Sequence, residues 1–357
     1  MEYYAIVAGA GIWGCTVARR LAEAGRKVLV LERRSVIGGN CACEIDLETG
    51  IEVHTYGSHI FHTKNEKVWQ FVRRFADFND YRHSVLANYC GRIYHLPFGC
   101  TLLKEFFGRE MKPSGLNETD KKAIFDAFIR GYTSKQWGVP PEQVDPSVIA
   151  RLKVRDNYST DYFDDPHQGI PVEGYNRFFE RLLDHPNITV RCNETFKLSN
   201  LQTFKPSNIY YSGPIDALFD YKFGALPWRS LRFERETLNC RDFQGNSVVN
   251  YTEAEVPYTR IHEFRHYHPE SNGGVRPTIN QSTNLNKRTI IMREYPSAWK
   301  QGDEPYYPIS NPESAALLKR YQDEAAEIPN LVVGGRLGGY RYYDMDQAMA
   351  AALEVEL

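Results

Sequence analysis

Residues 3–14 (YYAIVAGAGIWG) decide the fold. The first six of these residues predict a buried strand, which runs directly into Gly9, Gly11 and Gly14 in the spacing GxGxxG. A helix is predicted to follow, and residues 27–31 (KVLVL) predict the next strand. A strand, a glycine turn, a helix and a second strand make the βαβ unit of dinucleotide-binding folds.

Each glycine of this turn has a separate task. Gly9 allows the tight turn, Gly11 lets the backbone approach a pyrophosphate, and Gly14 lets the helix pack close to the strand. Glu32 closes the second strand, where a carboxylate can accept hydrogen bonds from ribose hydroxyls. Together these four residues predict a dinucleotide cofactor.

Two further glycine turns favour FAD over NAD. Gly38 and Gly39 follow Glu32 closely and can wrap a longer cofactor. Residues 331–336 (LVVGGR) predict a strand and a turn that places Arg336 on a pyrophosphate, and a helix opening at Asp344 would bring its positive end near a flavin ring. The cofactor contacts predicted from these turns also include Arg33 and Asn40.

Composition excludes several classes of protein. The 357 residues carry 43 Lys plus Arg against 45 Asp plus Glu, so the chain is not built to coat nucleic acid or an anionic membrane. Seven cysteines without CxxC spacing favour neither a disulfide framework nor a zinc ribbon. The sequence shows no export leader and no long apolar run. We therefore expect a soluble, cytoplasmic protein.

The order of predicted elements indicates an α/β fold with insertions. Helical spacing at residues 312–326 and a last helix after Asp344 return the chain to the first unit. We predict a discontinuous Rossmann-like FAD-binding domain, an inserted helical domain with a mobile, proline-rich lid, and an antiparallel β-sheet domain. Their predicted ranges are 1–83, 175–225 and 308–357 for the first, 98–165 with the lid at about 138–155 for the second, and 84–97 and 226–307 for the third.

Six more motifs point to one family. They are residues 56–63 (YGSHIFHT), 131–138 (GYTSKQWG), 213–216 (GPID), 257–260 (PYTR), 304–308 (EPYYP) and 340–345 (YRYYDM). Over essentially the whole chain this set resembles the bacterial UDP-galactopyranose mutases. The resemblance implies an FAD-dependent isomerase that interconverts UDP-galactopyranose and UDP-galactofuranose. It also implies reduced FAD and a covalent iminium between flavin N5 and the sugar.

The resemblance also assigns residues by position. Arg151 and Arg260 match the arginines that hold the substrate diphosphate, with Arg151 just past the lid. The catalytic set implied is Arg151, Arg260, His62, Tyr307 and Tyr342. The substrate-binding set implied is Tyr132, Thr133, Trp137, Tyr162, Asn250, His59 and Arg229. His59 and Met345 are also expected beside the flavin.

The expected partners are small molecules and a second copy of the chain. The resemblance implies a UDP-sugar substrate and an external reductant such as NAD(P)H or a flavin reductase. It also implies a homodimer, although the helical domain is shorter than the family leads us to expect. Two alternatives stay open: a mutase for UDP-N-acetylgalactosamine or another nucleotide hexose, and a flavin oxidase of the amine-oxidase type.

Three clustered histidines raise the question of a metal site. If a strand ran through His262, His266 and His268, the three side chains would share one face. Because similar histidines recur in the resembling family without a metal, we predict no metal.

Overall fold

The computed structural model describes residues 3–144, 154–199, 201, 204–269 and 287–357. The first half contains β1 Ala5–Ala8, α1 Ile12–Glu23, β2 Val28–Leu31, β3 Cys43–Ile45, β4 Glu52–His54, β5 Phe61–Thr63, α2 Glu66–Val72, β6 Val85–Tyr89, β7 Arg92–Leu96, β8 Phe98–Gly99, α3 Cys100–Phe107, α4 Glu118–Ile124, α5 Gly131–Trp137, β9 Val154–Arg155 and β10 His167–Gly169.

The second half contains α6 Gly174–Leu183, β11 Ile188–Arg191, β12 Asn208–Tyr211, α7 Ile215–Leu218, β13 Trp228–Leu238, β14 Val248–Tyr251, β15 Arg260–Glu263, β16 Thr289–Ala298, β17 Tyr307–Pro308, α8 Pro312–Ala326, β18 Leu331–Val333, α9 Gly335–Gly338 and α10 Met345–Leu353. Within the described ranges, no helix combines the length and the apolar character needed to cross a membrane.

The first sheet is parallel and has the strand order β11-β2-β1-β12-β18. Its strands are nearly continuous apolar runs because both faces are covered. Val7 on one face packs in the same core as Leu21 of α1, whereas Ile6 on the other face packs with Tyr321 of α8. The predicted α/β, Rossmann-like fold class is confirmed by this sheet and its helices.

The second sheet has seven strands in the order β17-β13-β16-β15-β14-β6-β7. The predicted antiparallel pattern holds for every neighbouring pair except β14 and β6, which run parallel. The hairpin β6-β7 precedes the helical insertion, so it joins this sheet from a distant part of the chain. The division into three domains stays a prediction.

The helical insertion consists of α3, α4 and α5, with a π-helical turn at Phe125–Arg130 between the last two. Asn117 caps α4 through a capping box with Asp120, which satisfies backbone donors at its first turn. Residues 138–144 of the predicted lid contain a 3₁₀ turn at Pro141–Gln143. Residues 145–153 of that lid lie outside the described residues.

The prediction that three histidines share a strand face is wrong. β15 ends at Glu263, and a 3₁₀ turn covers Phe264–Tyr267, so only His262 lies on the strand. His262 instead contacts Glu294, while His268 contacts Glu52. The 3₁₀ turn rotates the later side chains away from the strand face.

Candidate functional site

A cavity of about 2050 Å³ opens at the carboxyl ends of the parallel strands. Ala8, Leu31 and Tyr211, the last residues of β1, β2 and β12, line it. Open α/β sheets bind ligands at this edge. From there the cavity extends to the second sheet and to α5, whose residues form its far wall.

The turn between β1 and α1 is as tight as the glycine spacing predicts. Gly9 has φ of +101°, a conformation that favours glycine. A Cβ added to Gly14 would lie 2.0 Å from the carbonyl oxygen of Gly9, so the helix can approach the strand only with glycine there. No side chain among the residues that the structure describes caps α1, and no acidic residue occupies its first turn. Its amino-terminal N–H groups can therefore receive an anion.

A second loop closes on this turn. A Cβ on Gly39, which has φ of +58°, would lie 2.9 Å from the Cα of Gly11. The backbone N–H of Gly38 donates to the carbonyl of Ala10 at 2.8 Å. We call the part of the cavity lined by Gly9, Gly11, Gly38 and Gly39 the glycine end.

Glu32 lines the glycine end with its carboxylate already engaged. Oε2 accepts from the backbone N–H of Ala10, and Oε1 accepts from that of Arg34, both at 2.8 Å. The carboxylate thereby ties the first glycine turn to the loop after β2. Each oxygen keeps a second lone pair, so the predicted contact with a ribose is compatible with these bonds.

Two arginines of the loop after β2 share one carboxylate. Glu304 accepts from Arg33 and, at 2.7 Å, from Nη2 of Arg34, which also donates to Oδ1 of Asn40 at 2.9 Å. Burial raises the pKa of Glu304, but the two guanidinium groups outweigh it and hold that pKa below its ordinary value. Arg33 and Asn40 both line the cavity.

The C-terminal turn forms the middle of the cavity wall. Arg336 in α9 donates to the carbonyl of Tyr306, and its guanidinium lies 4.6 Å from the ring centre of Tyr342. The rings of Tyr342 and Tyr307 stack at 5.8 Å. Nε of Arg336 is buried without a hydrogen-bond partner among the described residues.

Helix α10 begins at this wall. Asp344 caps it through a capping box with Gln347. Both Asp344 and the following Met345 line the cavity. The positive end of α10 is therefore directed to the same space as Arg336.

Arg260 on β15 dominates the far part of the cavity. Nη2 donates to the hydroxyl of Tyr132, and Nε lies 3.4 Å from Oε1 of Glu294. Burial raises the pKa of Glu294, but Arg260 and His262 outweigh it, so its pKa falls to about 2. A partly exposed cation paired with one carboxylate retains donor capacity for an anionic ligand.

Aromatic and amide side chains surround Arg260. Trp137 lies 6.1 Å from Tyr307, measured between ring centres, and Tyr162 lines the same wall. Oδ1 of Asn250 is buried and has no hydrogen-bond partner among the described residues. We call the part of the cavity lined by Tyr132, Trp137, Asn250 and Arg260 the arginine end.

Two histidines lie between the two ends. Nδ1 of His59 faces the carbonyl of Gly57 at 2.7 Å, and burial lowers the pKa of His59 to about 4. His59 is therefore neutral near pH 7. Nδ1 of His62 lies 2.6 Å from Oδ2 of Asp165, and its ring stacks on Phe163 at 3.6 Å.

A second carboxylate lies beside His62. Oδ2 of Asp346, at the start of α10, accepts from the hydroxyl of Thr63 at 2.9 Å. Burial raises the pKa of Asp346 above its ordinary value. His62, Asp165 and Asp346 all line the cavity, so titratable groups are concentrated between its glycine and arginine ends.

Comparison with known proteins identifies the family. Residues 127–342 match the model of the UDP-galactopyranose mutase family, and residues 7–75 match an NAD(P)-binding Rossmann-like domain. A probable UDP-galactopyranose mutase of Klebsiella pneumoniae is 37% identical over 98% of this chain and 92% of its own length. The chain belongs to the UDP-galactopyranose mutase family.

Members of this family differ in the sugar named for them. A dTDP-fucopyranose mutase of Escherichia coli is 34% identical over 98% of this chain and 96% of its own length. Among solved structures, a reduced UDP-galactopyranose mutase aligns with a TM-score of 0.73 at 15% identity, covering 99% of this chain and 93% of the other. That structure supports the shared fold alone. As a member of a mutase family, the chain is an isomerase.

Among the described residues, most of those that the sequence suggested for the mutase site line one cavity, but three do not. Gly14 and Thr133 do not line it; Gly14 packs against β1 and Thr133 is buried within α5. Arg229 also does not line it, because its guanidinium donates to the carbonyls of Lys135 and Gln136 at the end of α5. Arg151 lies outside the described residues.

Sequence reasoning overlooked two carboxylates that line the cavity, Asp165 and Glu294. Glu294 pairs with Arg260, and Glu304, which lies outside the cavity lining, pairs with Arg33. The sequence had suggested both arginines. Strand β16 contained one signal that could have indicated Glu294. A charged residue inside an apolar run requires a partner. Asp165 lies in a loop and gave no such signal.

Within the described ranges, two groups of side chains have donor types that suit a metal: Cys43 with Glu52 and His54, and Asp242 with Glu263 and His266. In the first, Nδ1 of His54 accepts from the backbone N–H of His59, so the neutral ring carries its proton on Nε2. That nitrogen then has no lone pair for a metal. In the second, the Glu263 carboxylate accepts from Thr289 and from the backbone of Phe243 and Gln244.

Proposed function

We propose that the protein interconverts the pyranose and furanose forms of a nucleotide hexose, with UDP-galactose as the first candidate and reduced FAD as the cofactor. One observation carries this proposal: a single cavity joins a glycine end suited to a dinucleotide to an arginine end suited to a second phosphorylated ligand. A simple dinucleotide-binding protein needs only the first. A nucleotide-sugar enzyme with a bound dinucleotide needs both.

FAD fits the residues of the glycine end. The close approach of Gly11 and Gly39 leaves backbone, rather than side chains, against a pyrophosphate, and the first turn of α1 faces it. The buried Nε of Arg336 has no hydrogen-bond partner in the described part of the chain, and the start of α10 adds positive potential. When bound and reduced, FAD would supply the nucleophile N5 for the covalent route that the family resemblance implies.

At the arginine end, this proposal has Arg260 bind the diphosphate. A guanidinium stabilises the charge of a departing diphosphate without giving it a proton, which suits a leaving group that must return. Tyr132 and Trp137 form the nucleotide pocket, and the amide of Asn250 supplies a further polar contact. The unpartnered Oδ1 of Asn250 supports this role, because a buried oxygen of that kind calls for a donor.

The sugar is proposed to lie between the two ends, near His59 and His62. Neutral His59 can donate or accept a hydrogen bond without adding charge beside the cofactor. Asp165 accepts the Nδ1 proton of His62, which leaves the lone pair of Nε2 for a sugar hydroxyl. Tyr307 and Tyr342 complete the wall behind the diphosphate. Arg151 is proposed as a second diphosphate ligand on the resemblance alone.

Three further features stay part of the proposal. An external reductant such as NAD(P)H or a flavin reductase would reduce the flavin. The enzyme would act in the cytoplasm, and two copies would form a homodimer. A dTDP-hexose is a second candidate substrate, favoured by the Escherichia coli relative named for dTDP-fucopyranose. UDP-N-acetylgalactosamine is a third.

The test uses purified holoenzyme under anaerobic conditions. The flavin is reduced once with dithionite, the excess is removed, and UDP-galactofuranose, UDP-N-acetylgalactofuranosamine and dTDP-fucofuranose are offered in turn. Products are separated by chromatography and counted per flavin. Isomerisation causes no net electron flow, so we expect many products per single reduction and none from oxidised enzyme. One product per electron pair would instead support the flavin oxidase alternative.

A further inference from the structure

We propose that Ser58 is a positioning residue for Arg260 and acts through His262 and Glu294. The inference rests on the proposed function, in which Arg260 binds the diphosphate of the substrate. Ser58, Glu294 and Arg260 line the cavity, whereas His262 lies behind its wall. Ser58 belongs to the same short loop as His59, so the chain of contacts would link the middle of the cavity to its arginine end.

The contacts form an unbroken series. The hydroxyl of Tyr267 contacts Oγ of Ser58, and that Oγ lies 2.6 Å from Nδ1 of His262. Nε2 of His262 lies 3.2 Å from Oε2 of Glu294, whose other oxygen lies 3.4 Å from Nε of Arg260. We call these five residues the Ser58 relay.

The donor and acceptor roles of these groups fix the direction of each hydrogen bond in the relay. The guanidinium of Arg260 is always charged, and its Nε forms an ion pair with Glu294. Glu294 is ionised at neutral pH, because Arg260 and His262 outweigh its burial and hold its pKa near 2. Nε2 of His262 must therefore carry a proton to face that carboxylate. Burial lowers the pKa of His262, so the ring is neutral and its Nδ1 is an acceptor.

Because Nδ1 of His262 is an acceptor, the directions of the other hydrogen bonds in the relay are also fixed. Ser58 must donate its hydroxyl proton to Nδ1 of His262, and its lone pair then accepts from Tyr267. Every hydrogen bond from Tyr267 to Glu294 thus runs the same way, and each fixes the next. Thr259 adds a donor to Oε1 of Glu294 at 3.1 Å.

The two relay residues between Ser58 and Arg260 are buried. The side chains of His262 and Glu294 are 1% and 3% exposed, and the ring of His262 packs between Phe233 and Phe264. Without the Ser58 hydroxyl, Nδ1 of His262 loses its donor, and the ring is held only from the side of Glu294. The orientation of the ring is then less fixed, and with it the position of the Glu294 carboxylate beside Arg260.

The first experiment tests the relay without turnover. In oxidised holoenzyme labelled with ¹⁵N-histidine, long-range ¹H–¹⁵N spectra report the tautomer of His262. We expect a protonated Nε2 and an acceptor Nδ1 in the wild type, and in Ser58→Ala a shift of Nδ1 toward the value of an unbonded ring nitrogen. Ser58→Thr keeps the hydroxyl and should keep the wild-type spectrum. A wild-type ring protonated on Nδ1, or an unchanged spectrum in Ser58→Ala, overturns the relay.

The second experiment tests its effect on Arg260. We expect Ser58→Ala to lower kcat/KM about tenfold with normal flavin content, a loss on the scale of one ordinary hydrogen bond. Ser58→Thr should restore most of the loss. Ser314→Ala is the matched control, because this buried serine caps α8 far from the relay and should change stability but not kcat/KM of the folded enzyme.

A double variant decides whether Ser58 acts through Arg260. In an Arg260→Ala background, Ser58→Ala should cause no further loss, since the group that it positions is absent. A full additional tenfold loss would overturn the proposal while leaving the mutase function intact. If wild-type enzyme isomerises no nucleotide sugar, the proposed function fails. The histidine spectra still test the relay in that case, as does the effect of Ser58→Ala on the dissociation constant of UDP.

Discussion

The glycine end of the cavity is built mainly from backbone, whereas the arginine end is built from side chains. At the glycine end, Gly39 approaches Gly11 so closely that a Cβ on Gly39 would lie 2.9 Å from the Cα of Gly11. At the arginine end, Arg260 and Tyr132 come from a strand and a helix 128 residues apart and meet through side-chain atoms. The first end should therefore be sensitive to added atoms, and the second to removed ones.

The largest effect is expected from adding one methyl group at the glycine end. Gly14→Ala places Cβ 2.0 Å from the carbonyl oxygen of Gly9, a contact that only movement of α1 can relieve. We expect a cost of about 3 kcal/mol or more, at the upper end for overpacking, together with loss of bound flavin. Flavin absorbance per protein and thermal unfolding measure both effects.

Gly115→Ala is the matched control. No atom lies within 4 Å of its added Cβ, and its φ is not positive, so flavin content and stability should stay near wild type. A Gly14→Ala protein that purifies with a full flavin load would show that the backbone of the glycine end is not as rigid as its geometry indicates.

The next largest effect is expected from removing Arg260. Arg260→Ala leaves the proposed diphosphate without its cation and leaves Glu294 buried with one partner fewer. We expect a loss of about 2 to 4 kcal/mol in transition-state stabilisation, seen as a lower kcat with normal flavin content. Arg232→Ala, at an exposed arginine on β13, should have wild-type kinetics. Normal turnover by Arg260→Ala would remove Arg260 from the mutase site.

Acid stability sharpens the same contrast, because the arginine end depends on a buried charge. Arg260 and His262 outweigh burial and hold the pKa of Glu294 at about 2, below its ordinary value of 4.5. The carboxylate therefore stabilises the fold above pH 4.5, and this contribution is lost as the pH falls from 4.5 toward 2. We expect its loss to amount to roughly 2 to 3 kcal/mol of unfolding free energy.

Denaturant unfolding between pH 5 and about 3 measures this dependence, because ordinary carboxyl groups titrate in that range. Glu294→Gln should flatten the curve, since the amide does not titrate. Glu234→Gln, at an exposed carboxylate, should leave the slope nearly unchanged. Equal slopes for wild type and Glu294→Gln would contradict a strongly lowered pKa of Glu294.

The same contrast explains how much the sequence could predict. The glycine end depends on local spacing: residues 3–14 predict β1, the turn and α1, and each appears where it was predicted. The helix predicted at residues 312–326 has the same bounds in α8, because Asn311 and Pro312 mark its start. Such features need only neighbouring residues, which a pattern in the sequence records.

The arginine end could not be derived in this way. Nothing near Arg260 in the sequence indicates that it meets Tyr132 or Glu294, because those contacts depend on how β15, β16 and α5 pack. Only the family resemblance suggested Arg260. Arg229 shows the limit of assigning residues by resemblance. It occupies a position that matches the family, but it supports the end of α5 instead of lining the cavity.

The smallest effect is expected between the two ends, at a carboxylate that no pattern indicated. Asp165→Ala removes the acceptor of the His62 Nδ1 proton, so the ring of His62 keeps its stack on Phe163 but loses its preferred tautomer. We expect kcat to fall about tenfold, close to 1.4 kcal/mol, with normal flavin content. Asp165→Asn should recover part of the loss, because its amide oxygen can accept the same proton. Asp164→Ala is the control, since that neighbouring carboxylate pairs with Arg155 and not with His62. If Asp164→Ala and Asp165→Ala lose activity equally, the effect belongs to the loop rather than to the orientation of His62.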